Sequence, residues 1–405
     1  MTPYTLTKAQ LQNDLYKAYF EARKHKRSKP YQIRFEKNLE ENISALCEEL
    51  WSRTYKPMPS QCFIISDPKK REVFAADFRD RIVHHLYYNY VHEMFERTFI
   101  QDSYSCIKHR GTHYGIKRME MHIRQESQNY TVPCYVLKLD VRGYFMHINR
   151  RILLRIAQDT LDKMSLHLIS KHGVKRWGEV VDMDFVHYLT SELILLNPIK
   201  DCRMIGSPAD WDGLPADKSL FNSCEDAGLP IGNLTSQLFS NVYMNVFDQY
   251  VKRELRCRHY GRYVDDSYIV SSDRCYLHFI IPKLRYFLLN QLGLYLHEGK
   301  LAICDVRQGV GFLGAYIKPG RKYIHNSCVQ RMRNKIAVLE TVENPVHLQS
   351  TINSFLGMLS HYRTKRMQQT LFYPINNVWK FGFYLKTKDK LKYVLATSYC
   401  GDEKL

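Results

Sequence analysis

The stretch Tyr260-Gly-Arg-Tyr-Val-Asp-Asp-Ser-Tyr-Ile-Val270 constrains this chain more than any other. β-prone, Tyr-rich residues precede two adjacent acids and Ser-Tyr-Ile-Val follows, so the pattern predicts a hairpin with Asp265 and Asp266 at its tip. Neighbouring side chains on a strand point to opposite faces, so only a bend lets both carboxylates approach one site. On a straight strand one acid would face the site and the other would support it. Two close carboxylates repel each other unless a cation is present, and hard oxygen donors suit Mg²⁺ or Mn²⁺. A solvated Asp-Asp turn has the same local sequence, and the rest of the chain decides between the two.

Composition narrows the partners. Lys and Arg number 59 against 41 Asp and Glu over 405 residues, a net charge of +18 and a pI near 9.3. No low-complexity basic tail carries that excess, which implies a broad positive surface for a polyanion. The 29 Tyr and 19 Phe favour nucleic acid, because rings stack on bases while cations meet phosphates. The eleven cysteines include no C-x-x-C pair, which argues against a disulfide framework or zinc ribbon and fits a reducing compartment. The start has no apolar signal core and no run approaches the roughly eighteen apolar residues of a membrane span, so a cytoplasmic protein is expected, with no membrane partner.

In chain order, residues 1–56 have helical spacing, as at Leu39, Ile43, Leu46 and Leu50. The basic run Arg23 to Lys29 reads equally as a solvated face or a grip on nucleic acid. Phe63 to Ala76 predicts two short strands around a turn bearing Lys69, Lys70 and Arg71, a cationic lid for a triphosphate or a plain polar turn. The loop Ser103 to Gly115, basic and aromatic, suits contact with a strand of nucleic acid. Tyr135 to Leu139 predicts a buried strand delivering Asp140 at its end, with Phe145 beyond a turn at Gly143. Phe145 either packs in a core or crowds a sugar hydroxyl.

The polar loop Arg203 to Leu220 gives no physical clue to its role. Gly228-Leu-Pro-Ile-Gly-Asn-Leu-Thr-Ser-Gln237 opens a helix expected from Leu238 to about Arg256, and Gly232 would let a base pair approach closely. A helix is expected near Arg274 to Leu292. Lys300 is either a surface lysine or a cation near a leaving pyrophosphate. Gly311 and Gly314 mark a tight strand turn, and from Ser327 the chain is basic and helical.

The order of these pieces resembles reverse transcriptases over residues 55 to 365 or so. Within that group, Leu229-Pro-Ile-Gly-Asn-Leu-Thr-Ser-Gln237 is similar to the reverse transcriptases of diversity-generating retroelements: Ile231 and Gln237 stand where most reverse transcriptases have Gln and Pro. The loop Trp211 to Phe221 also resembles that lineage. The resemblance implies an α+β right-hand polymerase. Its parts would be an N-terminal helical extension (1–56), fingers (57–130) interleaved with the palm, a palm with an antiparallel sheet and helices (131–325), and a helical thumb with a C-terminal tail (326–405).

It further implies that Asp140, Asp265, Asp266 and the Val141 carbonyl bind two Mg²⁺ ions, Mn²⁺ being a possible substitute. Lys69, Lys70 and Arg71 would clamp the triphosphate, and Phe145 would exclude ribonucleotides. Ile231, Gly232 and Gln237 would lie at the nascent base pair, and Lys300 would protonate pyrophosphate. Arg110, Tyr263, Phe312, Leu313 and Gly314 would touch primer or template. The implied partners are a template RNA, a DNA or cDNA primer, dNTPs and a small basic accessory protein, in a bacterial, archaeal or phage-encoded system. Isoleucine at 231 offers bulk without a hydrogen bond to fix the pair, so poor pairs are tolerated. The expected product is cDNA with errors at template adenines, used in mutagenic retrohoming. A retron-like or group II-like reverse transcriptase of ordinary fidelity is the alternative within the class, and a decayed, RNA-binding polymerase scaffold is the alternative outside it.

Overall fold

A computed structural model describes residues 3–24, 29–67, 69–170, 173–339, 341, 344–372, 374–387 and 390–396. Residues 25–28 of the basic run, Pro68 of the cationic turn and the tail from 397 lie outside them. Three helices open the chain: α1 (Lys8–Ala22), α2 (Pro30–Glu36) and α3 (Leu39–Trp51). The strands β1 (Ser60–Ile65) and β2 (Arg71–Ala75) precede α4 (Phe78–Glu96) and α5 (Thr112–Glu126). Next come β3 (Tyr135–Leu139), the single turn α6 (Tyr144–His147), α7 (Arg150–Ser165), α8 (Met183–Leu195) and β4 (Cys202–Met204). Then α9 (Leu234–Gln249), β5 (His259–Tyr263), β6 (Asp266–Ser271), α10 (Arg274–Leu292) and β7 (Ala302–Asp305) follow. The chain continues through β8 (Val310–Phe312), β9 (Ala315–Lys318), β10 (Arg321–Ile324), α11 (Asn326–Leu339), α12 (Pro345–Leu359), α13 (Lys365–Phe372) and α14 (Asn376–Phe381). It closes on β11 (Gly382–Thr387) and β12 (Lys390–Leu395). The fold is α+β with mainly antiparallel sheets.

Two compact units divide the chain, and each draws on three separated segments. One contains Met1–Gly111, Lys138–Ile269 and Cys275–Ala302; the other contains Thr112–Leu137, Val270–Arg274 and Ile303–Leu405.

In the first unit, sequence caps start the helices. Thr7 and Gln10 form a capping box on α1, and the Asp77 carboxylate and the Asn149 amide oxygen accept backbone N–H groups at the starts of α4 and α7. Arg23 is drawn inward, its Nε 3.0 Å from Glu36. β1 pairs antiparallel with β2, Ile65 opposite Arg71, and parallel with β4. In the sheet that bears Asp265 and Asp266, β5 lies beside β6. α9 begins at Leu234, four residues before the expected start, because Gly232 at φ 134 and Asn233 in an extended conformation turn the chain into the helix at once. It ends in a π-helical turn, Tyr250–Glu254.

In the second unit a separate core gathers Met332, Ile336, Leu348, Ile352, Leu356, Phe372 and Val378. The hairpin β11/β12 adds Tyr393 and Leu395 to that core, so the C-terminal region is not purely helical. Among the described residues no helix is long and apolar enough to cross a membrane.

Candidate active site

The expected hairpin is present: β5 ends at Tyr263, a two-residue turn follows, and Asp266 opens β6. Val264 carries the bend at φ 57, an uncommon conformation for a β-branched residue. What holds it is buried beneath. Arg262, 0% exposed, sends Nε and Nη2 to the two carboxylate oxygens of Asp248 on α9 at 2.8 and 2.7 Å. Its Nη1 donates to the Val264 carbonyl at 2.8 Å, and Tyr260 donates to Asp248 at 2.6 Å. Burial opposes the Arg262 charge, but Asp248 more than compensates and raises its pKa. Ser105 Oγ accepts the Val264 N–H at 3.2 Å, and Ser103, Tyr104 and Ser105 are buried. That part of the basic loop therefore supports β5 instead of lying open to a nucleic-acid strand. Arg110 is likewise committed, donating to the Ile100 and Ser103 carbonyls at 3.0 Å each.

A cleft of about 780 Å³ gathers the chemistry, and every residue lining it belongs to the first unit. Asp140, directly after β3, faces it with Val141, Asp265 and Asp266. The Asp140 carbonyl accepts the His297 N–H at 2.8 Å, which fixes the strand end against the segment bearing Lys300. Lys300 Nζ lies 2.9 and 2.8 Å from the two Asp140 oxygens, so in this arrangement it neutralises an acid and does not stand apart as a proton donor. Burial pushes the Asp265 carboxyl up, and the Asp140 charge adds to it. Asp266 is pushed up to about 7 by burial, with Asp265 and Asp140 adding and Lys138 opposing. Both shifts come chiefly from burial, which disfavours the charged form, with the neighbouring acids adding.

Lys69, Lys70 and Arg71 line the same cleft, with Phe145, Ile231, Gly232, Gln237 and Tyr263. Phe145 and Ile231 also pack against the cluster of Cys62, Phe74, Met146 and Leu220, so each ring or branch serves a core and a wall at once. At Gly232 a Cβ would lie 2.7 Å from the Phe74 carbonyl oxygen, and the Phe74 N–H donates to the Ile231 carbonyl at 2.8 Å. The backbone of β2 alone is a close approach that requires glycine at this position. Phe312, Leu313 and Gly314 belong to the second unit, where Phe312 is buried and Leu313 and Gly314 form a turn at φ 48 and 79. The Phe312 ring is therefore part of the core of that unit.

Several contributors escaped the sequence reading. Glu72, 1% exposed on β2, accepts from Trp211 Nε1 at 2.8 Å, Ser219 Oγ at 2.9 Å and the Leu220 N–H at 2.6 Å. Pro215, Asp217 and Lys218 of the loop it anchors reach the cleft. Cys106 also lines it. Glu72 ends the charged run Lys69-Lys70-Arg71-Glu72, so nothing in the local sequence set it apart as a buried residue.

Hard carboxylate donors and raised carboxyls fit a divalent cation such as Mg²⁺ in chemistry. Among the described residues, however, no group of three or more His, Cys, Asp and Glu is arranged to hold an ion, and Asp140 is engaged by Lys300.

No protein-family model matches the chain. It is 24% identical to Protein YkfC of Escherichia coli (strain K12), over 67% of this chain and 70% of that protein. Among solved structures it is similar to telomerase from Candida albicans in complex with a TWJ fragment of telomeric RNA, at 10% identity and a TM-score of 0.44 over 80% of this chain. Apo telomerase from Candida tropicalis gives 10% identity and a TM-score of 0.46 over 78% of this chain. The chain spans 58% and 60% of those two telomerase chains.

Proposed function

We propose that this protein is an RNA-directed DNA polymerase of the diversity-generating retroelement type, with a right-hand polymerase architecture, copying a template-repeat RNA into cDNA with errors at template adenines. The observation that carries the reading is the cleft itself: three acids from two strand ends stand with Lys69, Lys70 and Arg71 in one cavity of about 780 Å³. Acids that hold cations and cations that hold phosphates are the two halves of nucleotidyl transfer. With Asp140 released from Lys300, Asp140, Asp265, Asp266 and the Val141 carbonyl would bind two Mg²⁺ ions, which would supply Lewis-acid activation of a primer hydroxyl and neutralise the triphosphate. The chain's own part is positioning. Val264, held by Arg262, fixes the acids; Lys69, Lys70 and Arg71 orient the phosphates; Phe145 presents a ring where a ribose 2′-hydroxyl would sit; Lys300 holds Asp140 and donates a proton to pyrophosphate when that pair separates. Ile231 gives the nascent pair bulk and no hydrogen bond, which favours misincorporation. A small basic accessory protein and the template RNA are the partners of this reading.

The test is primer extension on an RNA template containing every base, with Mg²⁺ and four dNTPs, followed by sequencing of the cDNA. Asp265→Ala is expected to lower extension by roughly a thousandfold or more, the scale of removing one electrostatic contributor to a transition state. Errors concentrated opposite adenine support the lineage, and accurate cDNA returns the reading to an ordinary reverse transcriptase. Equal extension by Asp265→Ala and wild type refutes it.

A further inference from the structure

The loop between β4 and α9 has no role in the reading so far, yet it is tied to the cleft from several sides. Glu72 accepts its three hydrogen bonds from Trp211, Ser219 and Leu220 across 139 to 148 residues of chain. Lys70 Nζ donates to the Asp212 carbonyl at 2.6 Å, and Arg142 Nε lies 3.2 Å from the Asp217 carboxylate. At Gly143, φ 52, a Cβ would lie 2.7 Å from the Asp217 carbonyl oxygen, so the loop backbone presses on the turn that follows Asp140. These ties hold Pro215, Asp217 and Lys218 in the lining of the cavity that contains the three acids. The Asp217 charge is paired with Arg142, whereas among the described residues Lys218, exposed, has no carboxylate partner.

We infer that the loop is a fixed wall of the nucleotide site, that Lys218 is a phosphate-binding residue, and that buried Glu72 is the positioning residue that sets both this wall and the cationic hairpin. The inference rests on the nucleotide-binding reading of the cleft, and its ligand class is the polyphosphate of a nucleoside triphosphate. The physical reason is local. A lysine on an irregular loop holds a place only if its backbone does, and a buried carboxylate with three donors is costly to disturb. Glu72 follows Arg71 directly, so one strand carries Arg71 on its exposed side and the anchor for a further cation on its buried side.

Two measurements test it on the full chain. The first is competition by inorganic tripolyphosphate for the bound labelled dNTP, which needs no turnover. Lys218→Ala is expected to weaken tripolyphosphate about tenfold, the scale of one charge-assisted hydrogen bond, and Lys218→Arg to recover most of the loss. The second is steady-state extension: Lys218→Ala should raise the dNTP KM by a similar factor with kcat within about twofold, the signature of ground-state phosphate binding. Trp211→Phe, which removes one donor to Glu72 and keeps an aromatic ring, should raise KM about threefold with kcat held, and lower the melting temperature because a buried carboxylate loses a donor. It keeps the test open if Glu72→Gln fails to fold. Unchanged tripolyphosphate affinity in Lys218→Ala, or a Trp211→Phe that loses kcat with KM intact, overturns the inference. Wild-type extension with an unaltered Lys218→Ala sinks this inference alone, whereas a wild type that binds neither probe sinks the polymerase reading with it.

Discussion

Two hairpins of the first unit bring chemistry to the same cleft, and they are built in opposite ways. β5/β6 presents acids over a fully buried ion pair, Arg262 with Asp248, that holds the Val264 carbonyl. β1/β2 presents Lys69 and Arg71 in the open, and its anchoring is on the buried face of β2 itself, at Glu72, whose partners lie on the loop after β4. Carboxylates that must share cations need fixed oxygens, because an ångström of play changes a coordination geometry. Cations that meet a flexible polyphosphate need only charge and reach. The difference is therefore between a site whose precision is internal and one whose precision is borrowed from a neighbour.

The comparison breaks first at Arg262. Arg262→Met leaves the Asp248 carboxylate buried without its cation, and a loss of about 3–5 kcal/mol is expected in denaturant melts. Pairing it with Asp248→Leu should return much of that loss while activity stays low, because the Val264 carbonyl still lacks its donor. If the double variant is fully active, the ion pair stabilises the unit without aiming the acids.

A smaller effect comes from His84 on α4, whose Nδ1 lies 2.7 Å from Thr235 Oγ1 at the start of α9. Burial lowers its pKa to about 3. An unfolded histidine binds its proton near pH 6.5, so below that pH the unfolded state takes up a proton that the folded state refuses. The stability is complete above pH 6.5 and declines as pH falls, by on the order of 3 kcal/mol at pH 4. His84→Gln should flatten that slope in melts run with EDTA, which keeps cation binding at the acids out of the comparison. A slope that survives the substitution would mean that other groups carry it.

The short motifs were legible because each is local. A strand end before Asp140, a bend at Asp265, and a glycine before α9 all depend on residues within a few positions, and backbone preference encodes them. Arg262 was within the most informative stretch and its partner was still invisible, since nothing in the spacing of α9 distinguishes a buried Asp248 from a solvated one. Glu72 and its loop partners lie 139 to 148 residues apart, beyond any periodicity. Gly232 shows the converse: the need for glycine was readable, but the neighbour that imposes it, the Phe74 carbonyl, was not. The β11/β12 hairpin was missed because Phe383, Leu385, Leu391 and Tyr393 alternate over only a few residues at the end of a basic helical region.

The smallest expected change sharpens the contrast most. Lys70 donates to the Asp212 carbonyl at 2.6 Å from a partly exposed position. Removing it in Lys70→Ala deletes one hydrogen bond that water replaces on the loop, so stability should move by no more than about 0.5 kcal/mol. The dNTP KM should nevertheless rise severalfold, because a cation has left the phosphate side of the cleft. Melting and KM measured on one preparation separate the two. If melting drops as far as it does for a buried polar loss, then Lys70, and not Glu72, ties the hairpin to the loop, and the cationic side of the cleft carries its own internal anchor after all.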